Sequence, residues 1–276
     1  MLNEVGSFPF GQPIRKVCQA DRTPKKVFIL GVYASAVHAR WVDENGKTLI
    51  RALAVASEPE IFWRGEDAVA AGIVKKVVVP EGAGKLMPAA KALNGPSGTA
   101  LDECFLNPMG LEDRSNVWLC DLVPYSCCNE RQGAALDREY QSRMKTLKLP
   151  EYLWPGVPSH LTDDKRLKEI LTEFREASPS MIITLVGDQP LKWFISKLCT
   201  KTSSRLVDYG NTPETYGRLH DISVDGRSIK LLPLVHPRKA GKLGSHSQKW
   251  ADFHELWTKY TAPSIMKQIE RKKQSD

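Results

Sequence analysis

Three short, almost entirely apolar runs most constrain how this chain can fold. They cover residues 27–30, 117–120 and 181–186, and a glycine or an aspartate directly follows each run. Strands that are apolar on both faces are typical of parallel sheets covered by helices. Segments with helical spacing separate the runs. The sequence therefore predicts an α/β fold, with three α/β/α layers around a central, mostly parallel sheet of about four strands and hairpin insertions.

Local signals predict how these strands are connected. Asn45-Gly46 and Asp225-Gly226 are typical hairpin turns, so each predicts a pair of short antiparallel strands. Thr162 predicts the N-cap of a helix. Three further segments are predicted as the start of a helix, a loop and a strand, in that order: 35–41, 82–98 and 205–207.

Composition indicates the domain organisation and a class of partner. No sharp shift in composition divides the chain, so we predict one domain over residues 25–262, a surface arm over 1–24 and a basic tail over 263–276. Lys and Arg number 39 against 32 Asp and Glu, and the resulting net charge of +7 suits a polyanionic partner.

Several classes of protein are disfavoured. The six cysteines form no C-x-x-C pair, so we expect reduced thiols, no metal and no cofactor. No G-x-G-x-x-G sequence follows the first strand, which argues against a dinucleotide-binding oxidoreductase. Neither a run of about 18 apolar residues nor a secretion signal is found. We therefore expect a cytoplasmic monomer that does not bind membranes.

Residues that follow predicted strands form the candidate site. In open α/β sheets, ligands bind beyond the carboxyl ends of the strands. Four such residues are expected to meet at one edge of the sheet: Gly31, Asp121, Gly187 and His236.

Four segments stand in a fixed order along the chain: 29–35 (ILGVYAS), 95–102 (GPSGTALD) with the strand leading to Asp121, 181–187 (MIITLVG) and 231–237 (LLPLVHP). Together they resemble the motifs of the uracil-DNA glycosylase superfamily, with a middle segment similar to that of its family-4-like members. The resemblance covers roughly residues 25–257. It implies a DNA glycosylase, which hydrolyses the N-glycosidic bond of uracil or another damaged base flipped out of DNA for base excision repair.

The resemblance also implies roles for individual residues. His236 corresponds to the histidine that stabilises the departing base, on which negative charge develops. Gly31 and Val32 correspond to one wall of the base pocket. Residues on nearby loops are implied to contact DNA: Ser35, Gly95, Ser97, Arg238, Lys239, Lys242 and His246, with Leu243 placed to wedge into a base step.

The first motif departs from the family's pattern. Val32 and Tyr33 occupy positions where active relatives carry an acid or amide that activates or holds water. Val32 cannot polarise water, which leaves Tyr33, and a phenol is a poor base at neutral pH. Nearby titratable substitutes are His38, Asp43, Glu58 and Glu60.

Asp121 is a second departure, because relatives carry Asn at this position. An ionised carboxylate would accept from uracil N3–H but repel its O4, whereas a protonated Asp121 could both donate and accept. Alternatively, the carboxylate prefers a base with an amino group, such as cytosine, or it simply holds the turn at Pro124.

A third departure concerns the residue that stacks on the base. Leu93 and Asn94 lie where relatives carry a phenylalanine. Any flat ring could serve in its place, and the candidates are Phe62, Trp63 and Tyr33.

Three hypotheses follow. The first is a glycosylase acting on a damaged base in double- or single-stranded DNA. The second is a member of the same superfamily that binds nucleic acid without cutting it, and its binding would depend steeply on salt. The third is a nucleosidase for small molecules on the same fold, because a fold does not dictate function.

Overall fold

A computed structural model describes residues 5–185, 187–199, 201–240 and 248–272. These residues form two compact units, each assembled from three segments of the chain. The first unit lies within Met1–Val17, Tyr33–Pro96 and Pro124–Ser159, and the second within Cys18–Val32, Ser97–Val123 and His160–Asp276. The single domain over residues 25–262 stays a prediction.

The secondary structure follows in chain order. The strands are β1 (Gly6–Ser7), β2 (Pro13–Ile14), β3 (Val27–Tyr33), β4 (Ala36–Val42), β5 (Thr48–Ser57), β6 (Lys85–Pro88), β7 (Val117–Val123), β8 (Met181–Thr184), β9 (His220–Val224) and β10 (Arg227–Pro233). The α-helices are α1 (Asp67–Val74), α2 (Pro96–Leu101), α3 (Glu130–Leu136), α4 (Ser142–Met144), α5 (Asp164–Ala177), α6 (Asp188–Pro190), α7 (Ser196–Leu198), α8 (Pro237–Ala240), α9 (Gln248–Tyr260) and α10 (Ala262–Lys272). Turns of 3₁₀ or π-helix cover Pro9–Gly11, Lys91–Leu93, Asp102–Leu106, Asn107–Met109, Asp137–Gln141, Leu191–Ile195 and Leu206–Tyr209.

The second unit is built on a five-stranded sheet in the order β7-β3-β8-β10-β9. Strands β3 and β10 both pair with β8 in parallel, so that Ile183 lies between Ile29 and Leu232. Strand β9 pairs antiparallel with β10 across the predicted turn at Asp225-Gly226. The structure thus confirms an α/β fold with a mostly parallel sheet, and this sheet has five strands.

Burial explains why the three apolar runs form strands. All residues of β7 and β8 are buried, as is β3 up to Val32. Helix α5 covers part of the sheet, where the Phe174 ring contacts the Phe28 ring at a centroid distance of 6.0 Å. Strands that are enclosed on both faces need no alternation of apolar and polar residues, and this is why the runs are continuous.

Helix α5 begins at a different cap from the predicted one. The Asp163 side chain accepts a hydrogen bond from the backbone N–H of Arg166 at 2.7 Å, so Asp163 is the N-cap. The Thr162 hydroxyl instead donates to the carbonyl of Trp193 at 2.7 Å. Both residue types suit an N-cap, and a competing tertiary acceptor decides between them.

The first unit contains a three-stranded antiparallel sheet in the order β5-β4-β6. The hairpin between β4 and β5 turns at Asn45-Gly46, as predicted. The helix predicted to start in 35–41 is wrong, because β4 occupies this segment. Val37, Ala39 and Trp41 are buried, whereas His38 and Arg40 between them are more exposed, and this alternation is typical of a strand. Strand β6 lies within the loop predicted over 82–98.

The amino-terminal segment packs into the core of the first unit rather than forming the predicted surface arm. Phe8, Phe10 and Ile14 are at most 4% exposed. The Phe10 ring contacts the rings of Trp41 and Tyr140 at centroid distances of 5.5 and 5.3 Å. Isolated aromatic residues among glycines and prolines carry no periodic signal, so only the tertiary packing reveals their burial.

Two segments nearer the carboxyl terminus also differ from prediction. Residues 205–207 are not a strand, because Leu206–Tyr209 is a 3₁₀ helix. The basic tail predicted over 263–276 contains most of α10, whose Ile265 and Ile269 are 0% and 7% exposed. Their burial anchors a helix that charge alone did not predict.

Candidate functional site

The carboxyl ends of β3, β8 and β10 lie at one edge of the five-stranded sheet. The backbone N–H of Leu185 donates to the Leu30 carbonyl at 3.0 Å, and the N–H of Leu234 donates to the Thr184 carbonyl at 2.9 Å. Gly31 and Leu234 are therefore at similar levels on their strands, and His236 lies two residues farther along. This edge, called the carboxyl edge below, is where ligands bind in sheets of this kind.

Asp121 reaches the same edge on β7, the neighbour of β3. The backbone N–H of Val27, the first residue of β3, donates to the carbonyl of Asn116, which directly precedes β7, at 3.0 Å. The two strands therefore run in the same direction, and following them from this bond brings Asp121 level with Gly31 to within one residue. Three strand spacings of about 4.8 Å put β7 and β10 roughly 14 Å apart, a span that one base and two side chains can fill.

The His236 ring is oriented by its own local turn. Its Nδ1 accepts a hydrogen bond from the backbone N–H of Arg238, in α8, at 2.9 Å. In the neutral ring the hydrogen is then on Nε2, so Nε2 is the donor nitrogen. The residue is half-buried, while Arg238 is exposed and Lys239 partly so. The segment thus places a hydrogen-bond donor beside two cations.

Asp121 is buried, and its pKa is perturbed accordingly. The residue is 3% exposed. Burial disfavours its charged form and raises the pKa to about 7, although Arg166 lowers the pKa and Glu173 adds to the rise. The carboxyl group is therefore largely neutral below pH 7, a form that can both donate and accept.

Arg166 on α5 holds the strand that carries Asp121. Its guanidinium donates to the carbonyl of Asp121 at 2.6 Å and to the carbonyl of Leu122 at 3.1 Å. It also pairs with the buried Glu173 at 3.3 Å, which in turn accepts from the Trp118 indole N–H at 3.1 Å. Strand β7 is at the end of the sheet order, and the guanidinium gives these two consecutive backbone carbonyls a donor at the carboxyl end of the strand.

A pH dependence of stability follows for the D121N variant. Because the folded pKa of Asp121 lies above 3.8, the folded state binds more protons than the unfolded state between pH 4 and 7, and wild-type stability falls as pH rises through this window. The amide that replaces the carboxyl does not titrate, so D121N should gain on the wild type by up to about 1.4 kcal/mol per pH unit there, and no further above pH 7. Urea unfolding at pH 4 to 8 measures this difference. A constant difference would contradict the perturbed pKa.

The predicted residues divide between the two units. Those of the second unit are His236, Asp121, Gly31, Val32, Ser97, Arg238 and Lys239. Those of the first unit are Tyr33, Ser35, Phe62, Trp63, Leu93, Asn94 and Gly95. Lys242, Leu243 and His246 lie outside the described residues.

Some of the first unit's predicted residues serve its own packing. The Asn94 amide pairs with the backbone of β4: it donates to the His38 carbonyl at 3.0 Å and accepts from the His38 N–H at 2.7 Å. Trp63 is 2% exposed and lies in the core. In contrast, Leu93 and Tyr33 are about 40% exposed (40% and 39%). Of these four side chains, Leu93 and Tyr33 are therefore the accessible ones.

Backbone contact fixes the loop that carries Phe62. Phe62 adopts a positive φ of 52°, which is uncommon for a residue with a side chain. A Cβ on Gly65 would lie 2.0 Å from the Asn94 carbonyl oxygen, and one on Gly95 would lie 2.2 Å from the Gly65 nitrogen. Both glycines also have positive φ, so this close approach requires them.

Among the substitutes for the missing acid, Glu58 contacts the segment after β3. It is 5% exposed and accepts from the backbone N–H of Ser35 at 3.1 Å. Asp43 instead accepts from backbone N–H groups of the β4–β5 hairpin, and Glu60 is exposed. Of these three carboxylates, Glu58 is therefore the one that is hydrogen-bonded to the first motif, residues 29–35.

Sequence reasoning missed the buried groups that support the carboxyl edge. These groups belong to none of the motifs in the sequence: Arg166, Glu173, Tyr216 and His254. The i, i+7 spacing of Arg166 and Glu173 on α5 was the available signal. Among the described residues, no three His, Cys, Asp or Glu side chains are grouped to hold a metal ion, and no helix is long and apolar enough to cross a membrane.

Comparison with known proteins adds no family assignment. No model of a known protein family matches the sequence, and no curated protein matches it either.

Proposed function

We propose that this chain is a DNA glycosylase that hydrolyses the N-glycosidic bond of uracil or another damaged base flipped out of DNA. The observation that carries the proposal is the oriented His236 ring, with Nε2 as donor, on the same sheet edge as the buried Asp121. Base release needs two such groups, because one stabilises the leaving oxygen while the other binds the edge of the base.

The chemistry of base release matches these groups. Breaking the bond leaves positive charge on the deoxyribose and negative charge on the base. The oxygen of water then bonds to the sugar carbon, and the proton that this water loses balances the charge of the departed base, which leaves as the neutral free base. His236 Nε2–H donates to the base oxygen on which the charge develops, an interaction that is stronger in the transition state than in the ground state. Because burial raises the pKa of Asp121 to about 7, its neutral carboxyl can donate to O4 of uracil and accept from N3–H.

A second function, nucleic-acid binding without cleavage, is favoured by Val32. This residue is apolar and 8% exposed at a position where active relatives carry the group that holds water. Tyr33 is the alternative at this motif, and a phenol holds water without deprotonating it readily.

A panel of substrates separates these functions. Oligonucleotides, single- and double-stranded, each carrying one uracil or another damaged base, are incubated with the chain, and abasic sites are detected by alkaline cleavage. Free nucleosides are tested in parallel. Cleavage of one or more oligonucleotides supports the glycosylase. Salt-sensitive binding without cleavage supports the second function, and turnover of free nucleosides alone supports a nucleosidase.

The proposal includes a three-layer α/β/α arrangement and a cytoplasmic monomer that needs no cofactor. DNA is the proposed partner, in either the double- or the single-stranded form.

Binding should depend on the cations that follow His236. Each phosphate contact contributes about 0.9 to the slope of log affinity against log salt, so R238A/K239A should reduce that slope by up to about 2. Fluorescence anisotropy with labelled duplex at several salt concentrations measures it. The matched control is K26A/K230A, which removes two cations from the opposite, amino-terminal edge of the same sheet. Equal effects of the two double variants would contradict a DNA contact at α8.

A further inference from the structure

Tyr216 and His254 form a buried hydrogen-bonded network that reaches the backbone of Val235, the residue before His236. The Tyr216 hydroxyl lies 2.8 Å from His254 Nδ1, and His254 Nε2 lies 2.9 Å from the carbonyl oxygen of Cys104. The Tyr216 hydroxyl also accepts from the backbone N–H of Val235 at 3.2 Å. Tyr216 and His254 are 1% and 2% exposed.

The direction of each hydrogen bond follows from its partners. A carbonyl only accepts, so His254 carries its hydrogen on Nε2 and its Nδ1 accepts from the Tyr216 hydroxyl. That hydroxyl then has a lone pair for the Val235 N–H. Burial lowers the pKa of His254 to about 4, so the ring stays neutral near neutral pH and the chain of bonds keeps one arrangement.

Aromatic packing holds the hydrogen-bonded Tyr216 and His254 side chains rigidly in place. The His254 ring contacts the rings of Phe105 and Trp257 at centroid distances of 4.3 and 5.0 Å. The Trp257 indole N–H donates to the Gly217 carbonyl at 2.9 Å. A Cβ on Gly217, whose φ is positive, would lie 2.3 Å from Trp257 Cδ1, so the segment after Tyr216 sits directly on the indole.

We propose that Tyr216 and His254 are positioning residues that fix the backbone at Val235 and thereby aim the His236 ring at the leaving base. This inference rests on the proposed glycosylase function. Strand β10 ends at Pro233, so Val235 lies beyond the strand and its N–H is bonded by the Tyr216 hydroxyl instead. His236 is the next residue, and its ring direction follows from the backbone fixed there.

The first test compares two phenylalanine variants. Y216F removes a buried hydroxyl that bonds both His254 and Val235. The matched control is Y140F in the first unit, which removes an equally buried hydroxyl that accepts from Phe10 N–H and donates to the Pro150 carbonyl, each at 2.9 Å. Y216F should slow single-turnover base release about 10- to 100-fold with unchanged DNA affinity, while Y140F releases base at the wild-type rate.

The second test compares two variants of His254. H254N retains an oxygen that can accept from Tyr216, whereas H254A does not, so H254N should keep more of the single-turnover rate. Nuclear magnetic resonance follows the same variants without substrate. Hydrogen exchange at the Val235 amide should accelerate in Y216F and H254A, and the ring nitrogen signals of His236 should shift, but neither should change in Y140F.

The outcomes separate this inference from the proposed function. Wild-type base release by Y216F, or unchanged Val235 exchange in that variant, would overturn the positioning role and leave the glycosylase intact. A wild-type chain that releases no base from any oligonucleotide would overturn the glycosylase itself, and the positioning role with it.

Discussion

Replacing His236 by alanine should slow base release by about 10²–10³-fold, the usual effect of removing one donor to a developing oxyanion. The ring's Nδ1 is occupied by the Arg238 N–H, so Nε2–H is the donor that the variant loses. Alanine leaves the strand and its backbone bonds in place, and DNA affinity should change little. Single-turnover cleavage of the best oligonucleotide from the substrate panel, with binding measured separately, gives both quantities.

His160 offers a matched control for the loss of an imidazole. It is an exposed histidine of the second unit whose ring contacts Trp193. H160A should cleave at the wild-type rate. If H236A weakens DNA binding but leaves the single-turnover rate unchanged, His236 contacts DNA rather than the leaving base, and its assignment as the donor is wrong.

The features that sequence predicted well are those set by short-range patterns. The runs at 27–30 and 117–120, and residues 181–184 of the third run, became the parallel core of a sheet because enclosure on both faces leaves a continuous apolar signature. Asn45-Gly46 and Asp225-Gly226 became hairpins because each turn needs residues that tolerate positive φ. Parallel pairing then brings the ends of these strands to one edge, so the placement of Gly31 and His236 follows from sequence.

The features that sequence missed depend on contacts between distant residues. The segment that forms β4 has an apolar spacing compatible with the start of a helix, and pairing with β5 and β6 on both sides decides for the strand. Asn94 was predicted to contact the base, yet its amide bonds the backbone N–H and carbonyl of His38 in β4. Arg166 bonds carbonyls about 45 residues away, and its spacing to Glu173 on α5 does not specify these partners.

The largest change in stability is expected for R166M. Methionine removes the guanidinium but keeps an apolar stem of similar length, so the carbonyls of Asp121 and Leu122 lose their donor and Glu173 is left as a buried charge without its partner. Breaking a buried ion pair from one side costs about 3–5 kcal/mol. Urea denaturation at pH 7 should show this loss as a lower midpoint at an unchanged slope.

Two further variants identify the cause of that loss. R175M makes the same substitution on the same helix, where Arg175 pairs with Asp225 at the surface, and it should shift the midpoint far less because exposed ion pairs contribute little. R166M/E173Q should recover part of the loss, since glutamine removes the uncompensated charge while its oxygen still accepts from Trp118. If R166M and R175M destabilise equally, β7 does not depend on the guanidinium, and Asp121 is held by the sheet alone.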